Sequence, residues 1–196
     1  MSTIYLEGGG DSTQLKSRCR EGFSKLLAKC GFAGRMPKLV ACGGRGAAFD
    51  RFESAPETAG EYVAMLIDSE EPMADVEAAW AHLKARDGWD RPLGASESQA
   101  LLMTTCMETW IIVDRAALAR HCGRKLRTSA LAPLLNVESR ARHDVQAAFE
   151  NATANCSNSY AKGKRSYQVL DELDPAALKP HLPSFVRMLR ILDQHL

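Results

Sequence analysis

The chain opens on a short apolar, β-prone run, Thr3-Ile4-Tyr5-Leu6, that stops at Glu7 and the glycines Gly8, Gly9 and Gly10. Such a run reads as a buried strand ending in a loop. Behind it Leu15, Cys19, Phe23, Leu26, Leu27 and Cys30 recur at helical spacing with Lys and Arg between them, after Asp11 or Ser12 as the cap. Residues 38–42 read as a second strand running into Gly43 and Gly44, followed by a short helix through Phe49 and Phe52. A third strand, residues 62–67, stops at Asp68-Ser69-Glu70-Glu71-Pro72. Three strand–helix steps in so short a stretch predict an α/β fold: a mostly parallel sheet with right-handed crossovers and helices on both faces.

Further along, the pattern predicts a helix over 76–85, an ordered surface loop over 87–92, and a fourth strand within 100–107. At Glu108 that strand leads into a helix carrying Trp110, Ile111, Val113, Leu118 and His121, although periodicity alone separates strand from helix poorly here. The rest is helical with polar breaks: a helix over 142–154, a polar loop over 155–164, then shorter helices ending in 185–192. With 196 residues, one domain is expected over 1–196, an α/β core over 1–122 followed by a helical extension over 123–196. No run approaches the length of apolar residues that a membrane span needs, and the N-terminus has no signal-peptide pattern, so a cytoplasmic protein without membrane contact is expected. The six cysteines lie far apart, with no CxxC pair to place zinc ligands in register, and are expected to be reduced and mostly buried.

The near-neutral total charge hides an uneven distribution. Residues 1–49 carry eight Lys/Arg against three acids, residues 50–114 four against fourteen, and residues 115–196 thirteen against seven, giving +5, −10 and +6. An acidic middle between basic ends suits a carboxylate metal site flanked by surfaces that meet a polyanion, or equally a set of solvated helix faces. In an open parallel sheet ligands bind beyond the C-terminal ends of the strands, and Glu7, Asp68 and Glu108 are each expected at such an end. Glu70, two residues after Asp68, points the same way if the extended geometry persists. Four carboxylates converging there would repel one another without a divalent cation, and oxygen-only ligation suits Mg²⁺ or Mn²⁺.

These residues carry a resemblance. A strand ending in Glu before a glycine loop, then a strand ending in Asp-x-Asp or a close variant, resembles the Toprim domain of topoisomerases, primases and OLD-type nucleases. Here Leu6-Glu7-Gly8-Gly9-Gly10-Asp11-Ser12 is similar to the first part and Leu66-Ile67-Asp68-Ser69-Glu70 to the second. The segments 82–89, Met107-Glu108-Thr109-Trp110 with Asp114, and 160–167 resemble a Toprim-like bacterial family related to RloB proteins. Its members are often encoded beside AAA/ABC-type ATPases in anti-phage defence loci. The resemblance implies a metal-dependent nuclease of DNA or RNA, the effector subunit of such a system. It equally admits a Toprim-fold partner subunit of the ATPase, an oligomer within a larger complex, whose hydrolysis is latent or absent.

Position by position, the resemblance makes Glu7 the Toprim glutamate and Asp68 with Glu70 the acidic pair, Glu70 standing where many relatives have Asp. Asp11 lies where OLD-type enzymes place a further acid, and is also a candidate helix cap. Lys162, in the basic last third, is where a lysine would stabilise charge developing on a phosphoryl oxygen, or is a solvated surface charge. Arg120, Arg124, Lys125 and Arg127, with Lys164 and Arg165, offer phosphate contacts that position nucleic acid without reading it. The first four also suit an exposed helix end. Neither glycine run completes a nucleotide-binding motif, and no GxSxG or evident nucleophile–His pair supports a hydrolase of another kind.

Overall fold

The computed structural model describes residues 2–55, 60–161 and 164–196. Four parallel strands, β1 (Thr3–Gly9), β2 (Lys38–Gly43), β3 (Val63–Asp68) and β4 (Ala100–Met103), form one sheet in the order β2-β1-β3-β4. The α/β expectation holds, and so does the parallel sheet between helical layers. Alternation along the strands divides the apolar side chains between two cores. On one face Ile4, Leu6, Ala64, Leu66, Leu101 and Met103 meet α1 (Thr13–Leu27) and the C-terminal helices; on the other Met65, Ile67, Ala100 and Leu102 meet α2 (Arg45–Glu53) and α3 (Ala79–Asp87). The sheet is buried from both sides, which is why its strands read as continuous apolar runs.

The chain order sets where a ligand fits. From β1 the chain crosses one face through α1 to β2, then returns over the opposite face through α2 to β3, on the other side of β1. The connections leaving the neighbours β1 and β3 therefore depart to opposite faces, and a crevice opens between the two strand ends. Glu7 and Asp68 stand there.

Behind the sheet, α4 (Met107–Val113), α5 (Arg115–Cys122), α6 (Arg142–Thr153), α7 (Lys164–Leu170), α8 (Pro175–Leu178) and α9 (Pro183–His195) close the larger core. Trp110 is fully buried and meets Phe185 edge to face at 5.0 Å. The single helix expected after Glu108 is two. Asp114 interrupts it, accepting the Ala117 N–H at 2.9 Å as the cap of α5 and the Asp174 N–H at 2.8 Å ahead of α8. Ser12, not Asp11, caps α1, accepting the Leu15 N–H at 3.3 Å. All six cysteines are free thiols, five of them buried. Among the described residues no helix is long and apolar enough to cross a membrane.

The glycines at the ends of β1 and β2 are a steric requirement. Gly43 has φ 95°, and a Cβ there would stand 2.7 Å from the Gly10 carbonyl oxygen; at Gly9, φ 89°, it would meet the backbone of Lys16 at 2.6 Å. Gly43→Ala is expected to cost about 2 kcal/mol, from left-handed strain and a clash with backbone that has no room to yield. Urea unfolding checks this, a lower midpoint at unchanged slope being the expected result.

Candidate metal centre

Glu7 ends the regular pairing of β1, where the register with β2 shifts. Its Oε2 accepts the Asp68 backbone N–H at 2.9 Å, so the side chain of one strand end is fastened to the backbone of the next. Asp68 is buried, and its Oδ1 accepts the Met107 N–H at 2.8 Å from the start of α4. Two residues on, Glu70 adopts φ 67° and turns its carboxylate back toward the strand end. One carboxylate oxygen from each of Glu7, Asp68 and Glu70 lies within 4.8 Å of the other two, a spacing at which one cation could be shared.

Glu108 is not at a strand end. β4 stops at Met103, and Glu108 sits in the first turn of α4, buried, with Oε1 accepting the Tyr160 hydroxyl at 2.9 Å. It still lines, with Glu7 and Asp68, a cavity of about 370 Å³ floored by Gly8, Gly9, Gly10, Gly43 and Gly44. Tyr167 closes one wall, its hydroxyl oxygen accepting the Gly9 N–H at 2.7 Å.

Burial pushes the Asp68 carboxyl well above the usual carboxylate range, and repulsion from Glu7 and Glu108 pushes it further; the Arg142 guanidinium and the Met107 N–H pull it back only in part. Glu138, half-buried in the turn 137–139 against the start of α9, where the Ser184 N–H and hydroxyl donate to it, is raised to about 7 by desolvation. Both acids hold protons more tightly folded than unfolded, so stability of the metal-free protein falls as pH rises above the ordinary carboxylate pKa near 4. The Glu138 share of that loss is complete just above pH 7, and the Asp68 share extends through its own raised pKa. Thermal melts in EDTA from pH 4 to 8 are expected to decline, with Glu138→Gln flattening part of the decline and saturating Mg²⁺ the rest.

Several contributors were not singled out as site residues in the sequence. Arg142, at the start of α6, pairs with Glu70 and stands 4.0 Å from Asp68 Oδ2, while Arg86 lies 3.9 Å from Glu70. Glu70 thus already has cationic partners for which a metal would compete. The segment 82–89 buttresses this loop: His82 Nε2 lies 2.9 Å from the Ser69 carbonyl oxygen, and Asp87 pairs at 2.5 Å with Arg45, whose Nε donates to the Asp68 carbonyl at 2.9 Å. Trp89 stacks on Phe49 beneath the Arg45 guanidinium. Tyr160 and Tyr167 fell within a segment singled out only by resemblance, and nothing local in the sequence marks Arg142.

Asp11, the basic residues around the end of α5, and Arg165 belong neither to the three-acid cluster nor to the cavity lining. Asp11 is exposed in the turn before α1 and outside the three-acid cluster. Arg120, Arg124, Lys125 and Arg127 occupy the end of α5 and the turn after it, none of them lining the cavity; Arg120 and Arg127 donate to the Glu172 and Asn151 carbonyls. Arg165 donates to the Ser159 carbonyl at 2.5 Å, bracing the loop before α7, which Lys164 opens. Lys162 lies outside the described residues.

Fold and site together define an α/β protein with a carboxylate cluster in the crevice where its strand order reverses. The sequence profile of the family described as domain of unknown function (DUF4276) matches residues 6–193, and the chain belongs to that family. No curated protein and no solved structure matches it.

Proposed function

We propose that the protein is a divalent-metal-dependent phosphodiesterase acting on DNA or RNA, with Glu7 and Asp68 as the principal metal ligands and Glu70 completing the set. The observation that carries this reading is the convergence of three carboxylates from the ends of two adjacent central strands, one of them buried against its neighbours. The donor set is oxygen only and the acids repel one another, which fits Mg²⁺ or Mn²⁺. When bound, such an ion supplies a Lewis acid for the scissile phosphate and a lowered pKa for the attacking water. The chain's own part is to fix the donors: the Asp68 N–H orients Glu7, the Met107 N–H orients Asp68, and the glycine floor lets backbone, rather than side chains, face a phosphate. The Toprim-like pattern of residues 5–12 and 66–70 supports the same chemistry, and with it a place as the effector of an anti-phage defence system in the cytoplasm.

One observation favours a second reading. Arg142 and Arg86 already neutralise Glu70, as in a site whose hydrolysis is latent until a partner, here an AAA/ABC-type ATPase subunit, rearranges it. An assay with Mg²⁺ or Mn²⁺ against plasmid DNA, single-stranded DNA and tRNA tests the first reading. Cleavage by the isolated chain supports it. Cleavage only in the presence of the co-purified ATPase supports the second, and none in either setting refutes both.

A further inference from the structure

The first 55 residues carry a strong positive excess that the carboxylate site does not use. Four of its nine cations are answered within the fold: Lys25 by Glu21 and Asp171, Arg35 by Asp193, Arg45 by Asp87, and Lys29 by the Asp171 and Leu173 carbonyls. Lys16, Arg20, Lys38 and Arg51 are different. Among the described residues none of them has an acidic partner within ion-pair distance, and all four line one groove of about 410 Å³ whose wall includes Tyr5 and Val40 and no carboxylate. Glu21, the acid nearest in sequence to Arg20, is taken by Lys25 at 2.8 Å.

The groove lies along β2, one of the two edge strands of the sheet, which among the described residues pairs only with β1. Lys16 and Arg20 are one turn apart on α1 and so share a face of that helix, Lys38 starts the strand, and Arg51 comes from α2 on the opposite side of the sheet. Cations from two helical layers thus straddle the edge. Lys16 packs against Gly9, and β2 ends at Gly43, so one end of the groove abuts the glycine floor of the carboxylate cavity. The strand's six residues span about 20 Å.

We infer that this groove is the track for the phosphodiester backbone of the nucleic-acid substrate, the four cations of the β2 edge holding phosphates outside the cavity while one phosphate reaches the acids. The inference rests on the phosphodiesterase reading and adds to it the surface that binds the strand, on the opposite part of the chain from the Arg120–Arg127 turn. Charge complementarity selects a polyanion, and continuity with the cavity selects one that is also the substrate. An acidic polypeptide adding as a fifth strand is the other polyanion that an edge admits. The four cations along the edge blunt strand addition.

The test is equilibrium binding of a fluorescein-labelled single-stranded oligonucleotide and its duplex by anisotropy, over a salt series in EDTA so that nothing is cut. Three proteins are compared: wild type; the groove variant Lys16→Gln, Arg20→Gln, Lys38→Gln, Arg51→Gln; and the turn variant Arg120→Gln, Arg124→Gln, Lys125→Gln, Arg127→Gln. The replaced groove side chains are exposed or half-buried, so the melting temperature of the groove variant should match wild type and exclude misfolding. The groove variant should bind at least ~10-fold more weakly, with the slope of log K against log[salt] shallower by about 3, because each lost phosphate contact removes roughly 0.7–0.9 from it. The turn variant should stay close to wild type. A groove variant that binds like wild type overturns the track and leaves the phosphodiesterase reading standing. Absence of nucleic-acid binding by wild type refutes that reading and the track with it.

Discussion

Glu7→Ala is expected to lower single-turnover cleavage by roughly a thousandfold, the scale of losing one preorganised charge-stabilising group, while nucleic-acid affinity changes little. The reason is the separation of tasks in the fold. Glu7 lies in the cavity and its carboxylate oxygens face Asp68 and Glu70, whereas the phosphate-binding cations lie outside it along the β2 edge. Removing the acid removes a ligand without removing a phosphate contact, so the salt dependence of binding should be that of wild type. Because the Glu7 carboxylate also accepts the Asp68 N–H, Glu7→Gln is the informative companion: it keeps an acceptor for that bond and loses only the charge. Both variants should be equally inactive. Activity retained in Glu7→Gln would make the role of Glu7 structural.

The second large effect is a trade of stability against metal. Asp68→Asn should stabilise the metal-free protein at neutral pH, because burial and the neighbouring Glu7 and Glu108 disfavour the charge that Asn does not carry. Asn still offers Oδ1 to the Met107 N–H, so the start of α4 keeps its acceptor. The same substitution should remove the response to metal. In wild type, a cation at a hundredfold its Kd adds about 2.7 kcal/mol by binding the native state alone; in Asp68→Asn the melting temperature should not move with Mg²⁺ or Mn²⁺. A variant less stable than wild type in EDTA would mean that the carboxylate is already neutralised within the fold. Arg142, whose guanidinium stands 4.0 Å from Asp68 Oδ2, is the group to test next.

Much of this was legible in the sequence because local pattern and global burial agree. β1, β2 and β3 are apolar runs that end at Gly or an acid, and the helices behind β1 and β2 carry their apolar stripes at helical spacing. Glu7, Asp68 and Glu70 were visible as a set: one acid at a strand end commonly just marks the turn into a loop, and it is their recurrence at strand ends of one parallel sheet that points to a shared site. Glu108 was misplaced by the run before it: residues 100–107 are uniformly apolar or small, and nothing local says that the strand ends at Met103. The break at Asp114 was hidden because its cause is a bond to Asp174, sixty residues away. Arg142 was out of reach for a similar reason, since its partner Glu70 lies seventy-two residues back and α6 reads as an ordinary amphipathic helix. The four groove cations were present in the charge profile, but only the sheet order makes β2 an edge and brings α1 and α2 to either side of it.

The most direct measurement is a titration of the purified chain with Mn²⁺, following free ion by electron paramagnetic resonance, for wild type and Asp68→Asn side by side. If the acids at the ends of β1 and β3 share a cation, wild type withdraws Mn²⁺ from solution at a saturable site, added Mg²⁺ releases it, and Asp68→Asn withdraws none. Equal uptake by the two proteins, or none by wild type, would contradict the metal site.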